Sequence, residues 1–184
     1  AYELLGNGQY RQMDMRVIDV GWGIERIAWL TQGTPTIYEA TFGPVLDWLV
    51  DERGVEVELE VLNRYNPLSG LLDVDEAVNI DHERHKIAKI MDIELNELNS
   101  KLGPIEALYA IADHTRTLVF ALADGAIPSN VGGGYNLRTV LRRAITLTDV
   151  YNYEIDLVEL LFKHVEYLKK SYPGVETGRD IIQE

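Results

Sequence analysis

The sequence predicts a mainly α fold in which a strand and a short helical motif lead into a helical array. Three observations predict it. Apolar residues recur at helical spacing through most of the chain beyond residue 75, one run near the amino end alternates with period two, and 46% of the 184 residues are hydrophobic, enough for a packed core. The expected organisation is a first unit over residues 1–54 and a helical second unit over 55–184 that is incomplete at its carboxyl end. The chain opens at Ala1 without an initiator methionine and reads as a piece of a longer protein.

Gln12 to Val20, QMDMRVIDV, alternates so that Met13, Met15, Val17 and Asp19 share one face, which predicts a strand. After Gly21-Trp22-Gly23 the pattern turns helical from Ile24 to Leu30, and TQGTPT stops it. A second helix is expected over Ile37–Glu52, ended by Gly54. Val55 to Tyr65 alternates like a strand but sits among helices, and is read as helix. Asn66 to Gly70 reads as a turn or linker. Asp75 to Asn99 forms one long amphipathic helix closed by Gly103-Pro104. Ile105 to Asp124 is apolar almost all round, as a buried helix would be, and Gly125 ends it. Helices over Tyr135–Val150 and Ile155–Tyr172, then a short terminal one, complete the array.

Charge is distributed unevenly. The formal net charge is -13, and Asp51 to Asn99 holds 13 Asp and Glu against 5 Lys and Arg, yet Gly125 to Thr148 carries Arg138, Arg142 and Arg143 and no carboxylate. A polyanion responds to the field within about 8 to 10 Å, so this basic island, not the molecular sum, decides whether one can approach. With no cysteine, thiolate metal sites and disulfides are excluded, in keeping with a reducing compartment. No apolar run reaches the length of a membrane span and AYELLGNGQY lacks signal-peptide features, so the expected location is the cytoplasm.

Two constellations carry chemistry. In DVGWGIERIAWL a strand ending at Asp19 meets Gly21 and Gly23, then a helix start with Glu25 and Arg26. Glycines admit a flat ring or phosphate to the backbone, a helix start offers unpaired amides, Arg26 offers a bidentate fork, and Asp19 could hold an ammonium group. The plainer alternative has the glycines turning the chain and Arg26 pairing with a carboxylate. In PSNVGGGYNLRTVLRRA, a glycine-rich loop precedes a helix from Tyr135 on which Arg138, Arg142 and Arg143 share roughly one side, within reach of a phosphate backbone. Phosphate contacts position RNA without reading it, whereas Asn130 carries both a donor and an acceptor for base edges. The alternative here is a turn capped by Asn130, with the arginines paired to the acidic segment.

Both segments resemble one family in its own order. VIDVGWGIERIAWLTQGTPTIYEA resembles motif 3 of class II aminoacyl-tRNA synthetases in the form used by the alanyl-tRNA synthetases, and TQGTPT resembles their archaeal branch. IADHTRTLVFALADGAIPSNVGGGYNLRTVLRRA resembles the helical tRNA-recognition domain that follows. The resemblance implies that residues 1–54 are the end of an antiparallel α+β catalytic domain and 55–184 the tRNA-recognition domain. It implies that Arg26 binds ATP, that Gly21 and Gly23 lie beside the adenylate, and that Asp19 holds the amino group of alanine, Arg26 and Asp19 being the catalytic positions. Val20 stands where a threonine is common, removing one possible hydrogen bond.

The same resemblance implies a partner, the acceptor stem of tRNA(Ala), with Asn130 contacting the guanine side of a G·U pair whose exocyclic amine has no pairing partner. Arg116, Tyr135, Arg138, Arg142 and Arg143 are further RNA-contact candidates. Gly133 stands where the bacterial form has an arginine, and the family's partner aspartate on the uridine side falls beyond Glu184. Mg²⁺ and ATP would serve the parent enzyme, while zinc belongs to an editing domain that the chain does not contain. Motifs 1 and 2 are missing upstream, so the isolated chain is expected not to activate alanine. Oligomeric state is not set by the sequence.

Other readings compete with this one. His82 and His85 have HxxH spacing but lie on a highly charged face, and the expectation is no metal. His114 reads as a core residue. A non-catalytic helical RNA-binding module would keep the RNA contact without an aminoacyl site, and a helical scaffold would bind proteins through the acidic segment.

Overall fold

A two-stranded antiparallel hairpin pairs Tyr2–Leu4 (β1) with Tyr10–Gln12 (β2), with Tyr2 opposite Gln12 and Leu4 opposite Tyr10. Its turn is closed by the Leu5 amide on the Gln9 carbonyl at 2.8 Å. The structure, a computed structural model, describes residues 2–16, 20–51, 58–70 and 80–183. Nine α-helices follow among those residues: α1 (Ile24–Gln32), α2 (Ile37–Phe42), α3 (Pro44–Asp51), α4 (Leu59–Ser69), α5 (Ile80–Met91), α6 (Leu95–Ala123), α7 (Gly132–Val150), α8 (Leu157–Leu168) and α9 (Arg179–Gln183). A 3-10 turn over Pro173–Gly178 lies between the last two.

The mainly α expectation holds, and several boundaries move for identifiable reasons. The alternation from Gln12 to Val20 does not continue as a strand over Met13–Arg16, since the paired register stops at Gln12; Val17–Asp19 lie outside the described residues. The single helix expected over Ile37–Glu52 is two helices, broken where Gly43 takes φ 36° and Pro44 brings no amide hydrogen. Thr36 starts the first of them with a capping box: its hydroxyl accepts from the Tyr38 amide at 3.2 Å while Glu39 accepts from the Thr36 amide at 2.8 Å.

Asn66–Ser69 is helix, not linker, with Pro67 inside the last turn of α4, where one missing amide hydrogen is tolerated because Leu62 and Tyr65 are buried in the core. The long helix expected from Asp75 to Asn99 is interrupted after Met91. Asp92 adopts φ 57° and the Ile93 amide returns to the Ala88 carbonyl at 3.1 Å, a Schellman-type stop. The start of that prediction falls on residues 71–79, outside the described set.

Gly103-Pro104 proves to be the interior of a helix. α6 runs straight through it because Leu98, Leu102, Ile105 and Leu108, on both sides of the proline, are each no more than 1% exposed. Packing on this scale outweighs the roughly 3 kcal/mol local penalty of a helical proline. Gly103 also has a packing role, since a Cβ there would stand 2.6 Å from the Tyr151 hydroxyl. Next to it the Tyr153 hydroxyl donates to the Pro104 carbonyl at 2.7 Å. The far end of α6 stops as predicted at Gly125, φ 80°, with the Ala126 amide on the Ala121 carbonyl at 2.9 Å.

α6 is the axis of the molecule. Its first half joins α3, α5 and Leu160 of α8 in one buried cluster, and its second half packs Leu118 and Val119 with Val165, Val175 and Ile182 in another. His164 sits where they meet, fully buried, its Nε2 3.1 Å from the Thr115 hydroxyl and its ring edge-on to Phe42. Burial, then the nearby Arg116 guanidinium, pushes its pKa down to about 3, so the imidazole is neutral. α8 is capped by Asp156, whose carboxylate accepts from the Val158 amide at 2.8 Å, and ends at Leu168, short of the expected Tyr172.

Candidate functional site

α7 lies along α6, and the side it turns inward is apolar: Ala144 is fully buried, and Leu137, Val140 and Leu141 pack on the second cluster. That burial fixes which way the other side points. Tyr135, Thr139, Arg142, Arg143 and Thr146, together with Leu147, line a groove of about 390 Å³ on the open face. Positions three and four apart stack along one helix face, so Tyr135 and Thr139 share the groove with Arg142 and Arg143, whereas Arg138, expected on the same side, does not line it.

The helix begins earlier than expected, at Gly132, so the glycines form its first turn and not a free loop. Gly132 takes φ 55°, a conformation that side-chain-bearing residues resist. The preceding segment is folded tightly back. The Ser129 amide donates to the Gly134 carbonyl at 2.9 Å, and the Ser129 hydroxyl lies 3.2 Å from the Val131 carbonyl oxygen. A Cβ on Gly134 would fall 2.2 Å from the Ser129 hydroxyl oxygen and 2.7 Å from the Ile127 carbonyl oxygen, so only glycine fits.

At the apex of this turn Asn130 is exposed, and its side-chain oxygen accepts a hydrogen bond from Arg138 Nη1. The two residues are thus brought together, and Arg138 is directed at the turn while Arg142 and Arg143 line the groove. Among the described residues, none of the three arginines has a carboxylate within ion-pair distance. Carboxylates of the acidic segment find other cations: Glu58 pairs with Lys101 at 3.1 Å, and Glu83 with Lys86 at 2.7 Å. The basic island therefore remains unneutralised by described side chains.

Arg116 stands apart from this face. It is half-buried on α6, with its guanidinium 5.7 Å from the Phe42 ring centre and 5.9 Å from that of Phe120. His114 is mostly buried, its Nδ1 3.5 Å from the Asp113 carboxylate, and that hydrogen-bonded neighbour lowers the Asp113 pKa. His82 and His85 are exposed on α5, and among the described residues no three ligating side chains cluster as a metal site.

The second candidate site is the start of α1. Gly23 takes φ 67° at its N-cap and provides no side-chain cap, and the Arg26 amide turns back to the Gly23 carbonyl at 3.0 Å. Arg26 is exposed, and its stem lies beside the Gly23 α-carbon, within 3.7 Å of where a Cβ would be. Gly21 faces open space. Asp19 falls among the residues outside the description. A guanidinium beside a helix start suits phosphate oxygens.

The sequence profile of the tRNA synthetases class II (A) matches residues 2–184. The chain belongs to that family. This class II chain is 42% identical over 181 residues to the alanine–tRNA ligase of Methanobrevibacter smithii, covering 98% of the chain and 20% of that relative. It is 40% identical over 176 residues to the enzyme of the same name from Nitrosopumilus maritimus, and 42% over 185 residues to that of Natronomonas pharaonis, again about 20% of each. It spans about one fifth of the length of these archaeal relatives, and among its described residues no helix is long and apolar enough to cross a membrane.

What the sequence did not reveal is the support beneath Asn130. Ser129 and Gly134 were legible as residues but not as a contact, because their approach depends on a turn that places atoms five positions apart within van der Waals distance. Thr139 and Thr146 also line the groove, and no candidate role was attached to them in the sequence.

Proposed function

We propose that the chain is part of an alanine–tRNA ligase, in which α7 and the turn before it dock the acceptor stem of tRNA(Ala) and Asn130 contacts the guanine of its G·U pair. One observation carries this reading: Asn130 stands exposed at the apex of a glycine-locked turn, ahead of a helix face whose Arg142 and Arg143 line a groove without carboxylate partners among the described residues. Such a face attracts a phosphate backbone, and an amide at its edge meets the wide, shallow minor groove of an RNA helix, where the guanine amine is displayed. Tyr135, in the groove wall, suits a ribose or sugar-phosphate contact.

In the parent enzyme, alanine would react with ATP to give an adenylate and then pass to the terminal ribose of the tRNA. Arg26 would hold phosphate oxygens, Gly21 and Gly23 would admit the adenylate, and Asp19 would hold the alanine ammonium group; Mg²⁺ would neutralise phosphate charge. Residues 1–54 would then be the end of the catalytic domain and 55–184 the recognition domain, working in the cytoplasm. The boundary falls within residues 52–57, outside the described set. Without the upstream motifs the chain by itself would show no alanine-dependent pyrophosphate exchange, and detecting such exchange would contradict that part of the reading.

The test of the recognition role is equilibrium binding of an acceptor-stem duplex with its G·U pair against the same duplex carrying G·C. The wild-type chain should prefer G·U, and Asn130→Ala should lose most of that preference. An unchanged preference would remove Asn130 from the role. Absence of any binding at low salt would favour a scaffold that does not touch RNA.

A further inference from the structure

Two arginines of α7 line the groove and the third does not. Arg138 instead donates from Nη1 to the side-chain oxygen of Asn130, eight residues earlier. A guanidinium has five donors and no acceptor, so the atom it faces on a primary amide must be the oxygen and cannot be the nitrogen. The contact therefore fixes which way the amide is turned, a choice otherwise free for an exposed asparagine on a turn. It leaves the Asn130 nitrogen with both hydrogens available, and the oxygen with its second lone pair.

The backbone beneath Asn130 is held as well. Ser129 is anchored to Gly134 through its amide hydrogen bond at 2.9 Å and by the close seating of its hydroxyl over the Gly134 α-carbon. Turn and side chain are thus fixed from opposite ends, one by a glycine that admits no Cβ and one by an arginine one helical turn further along α7.

We propose that Arg138 is a positioning residue for Asn130: it orients the amide so that the free lone pair and the N–H groups face the RNA together, and it does not itself neutralise a phosphate. An amide so oriented accepts from the guanine amine and donates to a neighbouring acceptor, such as a ribose 2′-hydroxyl, at the same time. This rests on the reading of Asn130 given above, and it separates Arg138 from Arg142 and Arg143 in kind, since those two would act as phosphate contacts.

The salt dependence of binding separates the roles, because removing one phosphate-binding side chain lowers the slope of log K against log salt by about one. The experiment measures the whole chain binding G·U and G·C duplexes between 50 and 200 mM salt, about the range over which such contacts are usually resolved. Six proteins are compared: wild type, Asn130→Ala, Arg138→Ala, Arg142→Ala, the double variant Asn130→Ala with Arg138→Ala, and Arg138→Lys. Arg138→Ala should reduce the G·U preference, on the order of tenfold in wild type, to the level of Asn130→Ala while leaving the slope unchanged. Combining Asn130→Ala with Arg138→Ala should reduce it no further. Arg142→Ala should lower the slope by about one and keep the preference. Arg138→Lys, which retains a donor, should restore part of the preference.

A slope lowered by about one in Arg138→Ala, with the preference intact, would overturn the inference and make Arg138 a phosphate contact. A preference in wild type that Asn130→Ala abolishes but Arg138→Ala retains would also overturn it, while leaving the proposed role of Asn130 standing. A wild-type chain that does not distinguish the duplexes would overturn both.

Discussion

α1 and α6 are both rich in apolar residues, and they use them in opposite ways. α6 buries twelve of its side chains, with Leu108 and Ile111 fully inaccessible, whereas α1 buries none and leaves Ile24 and Leu30 75% and 83% exposed. α1 is held locally instead: Gly33 closes it with an amide hydrogen bond to the Trp29 carbonyl at 2.9 Å, and the Trp29 indole donates to the Thr34 carbonyl at 2.7 Å. The difference teaches where the stability of this chain lies: α6 supplies its core and α1 adds no buried side chain to it. The helix that sets the fold carries no candidate ligand group except Arg116, and the residues assigned to ligands stand on elements whose outer faces contribute little to the core.

The sharpest way to break this comparison is to truncate one apolar residue in each region. Leu108→Ala should destabilise the chain by about 2 to 5 kcal/mol in urea unfolding, as a cavity in a packed core does. Leu30→Ala, at the other extreme, should change stability by about 0.5 kcal/mol or less. Equal effects would mean that the two helices are not in different environments.

Next in size is the α6–α7 junction. Gly103→Ala would set a methyl group 2.6 Å from the Tyr151 hydroxyl and should cost about 1 to 3 kcal/mol. Tyr151→Phe in the same chain removes the clashing oxygen and should recover part of that stability in thermal unfolding.

A pH titration sharpens the role of His164 between the two clusters. Its folded pKa of about 3 lies below the ordinary value of 6.5, so between those values the unfolded chain binds a proton that the folded chain does not. Its contribution is therefore present above pH 6.5 and is lost as the pH falls towards 3, with a slope approaching about 1.4 kcal/mol per pH unit. Asp113, whose pKa is lowered, acts in the same direction at more acid pH. His164→Leu should flatten the dependence between about pH 6 and 4.5, measured by denaturant unfolding across that range.

The smallest effect on stability should come from the basic face. Arg142→Ala and Arg143→Ala should each leave the melting temperature unchanged within about 0.5 kcal/mol equivalent, because neither substitution removes an ion pair with a described carboxylate. On the proposed reading their effect would be on RNA affinity.

Much of this was legible in the sequence for physical reasons. A run apolar almost all round marks a buried helix, which is why the second part of α6, read as Ile105 to Asp124, and the α7 segment, read as Tyr135–Val150, are legible. The stop at Gly125 follows from the conformational freedom of glycine. Proline and glycine mislead elsewhere. Gly103-Pro104 resembles a terminus locally, and only the burial of Leu98 and Leu102 before it and Ile105 after it shows that tertiary packing prevails. The break at Asp92 is hidden for the converse reason, since a non-glycine residue takes the left-handed conformation there.

The candidate site was legible to a similar depth. Arg142 and Arg143 share the groove as expected while Arg138 leaves the side assigned to it, and Asn130 is exposed where its position ahead of a helix places it. The pairing of Arg138 with Asn130 joins residues eight apart through a folded-back turn, and no helical or strand periodicity encodes such a contact.

The most direct test of the account replaces a single group on the RNA. Inosine opposite uridine keeps the wobble geometry of the G·U pair and lacks only the exocyclic amine. The wild-type chain should bind the inosine duplex as weakly as the G·C duplex, and Asn130→Ala should bind all three alike. Binding of the inosine duplex by the wild type at full G·U affinity would contradict the claim that Asn130 senses that amine.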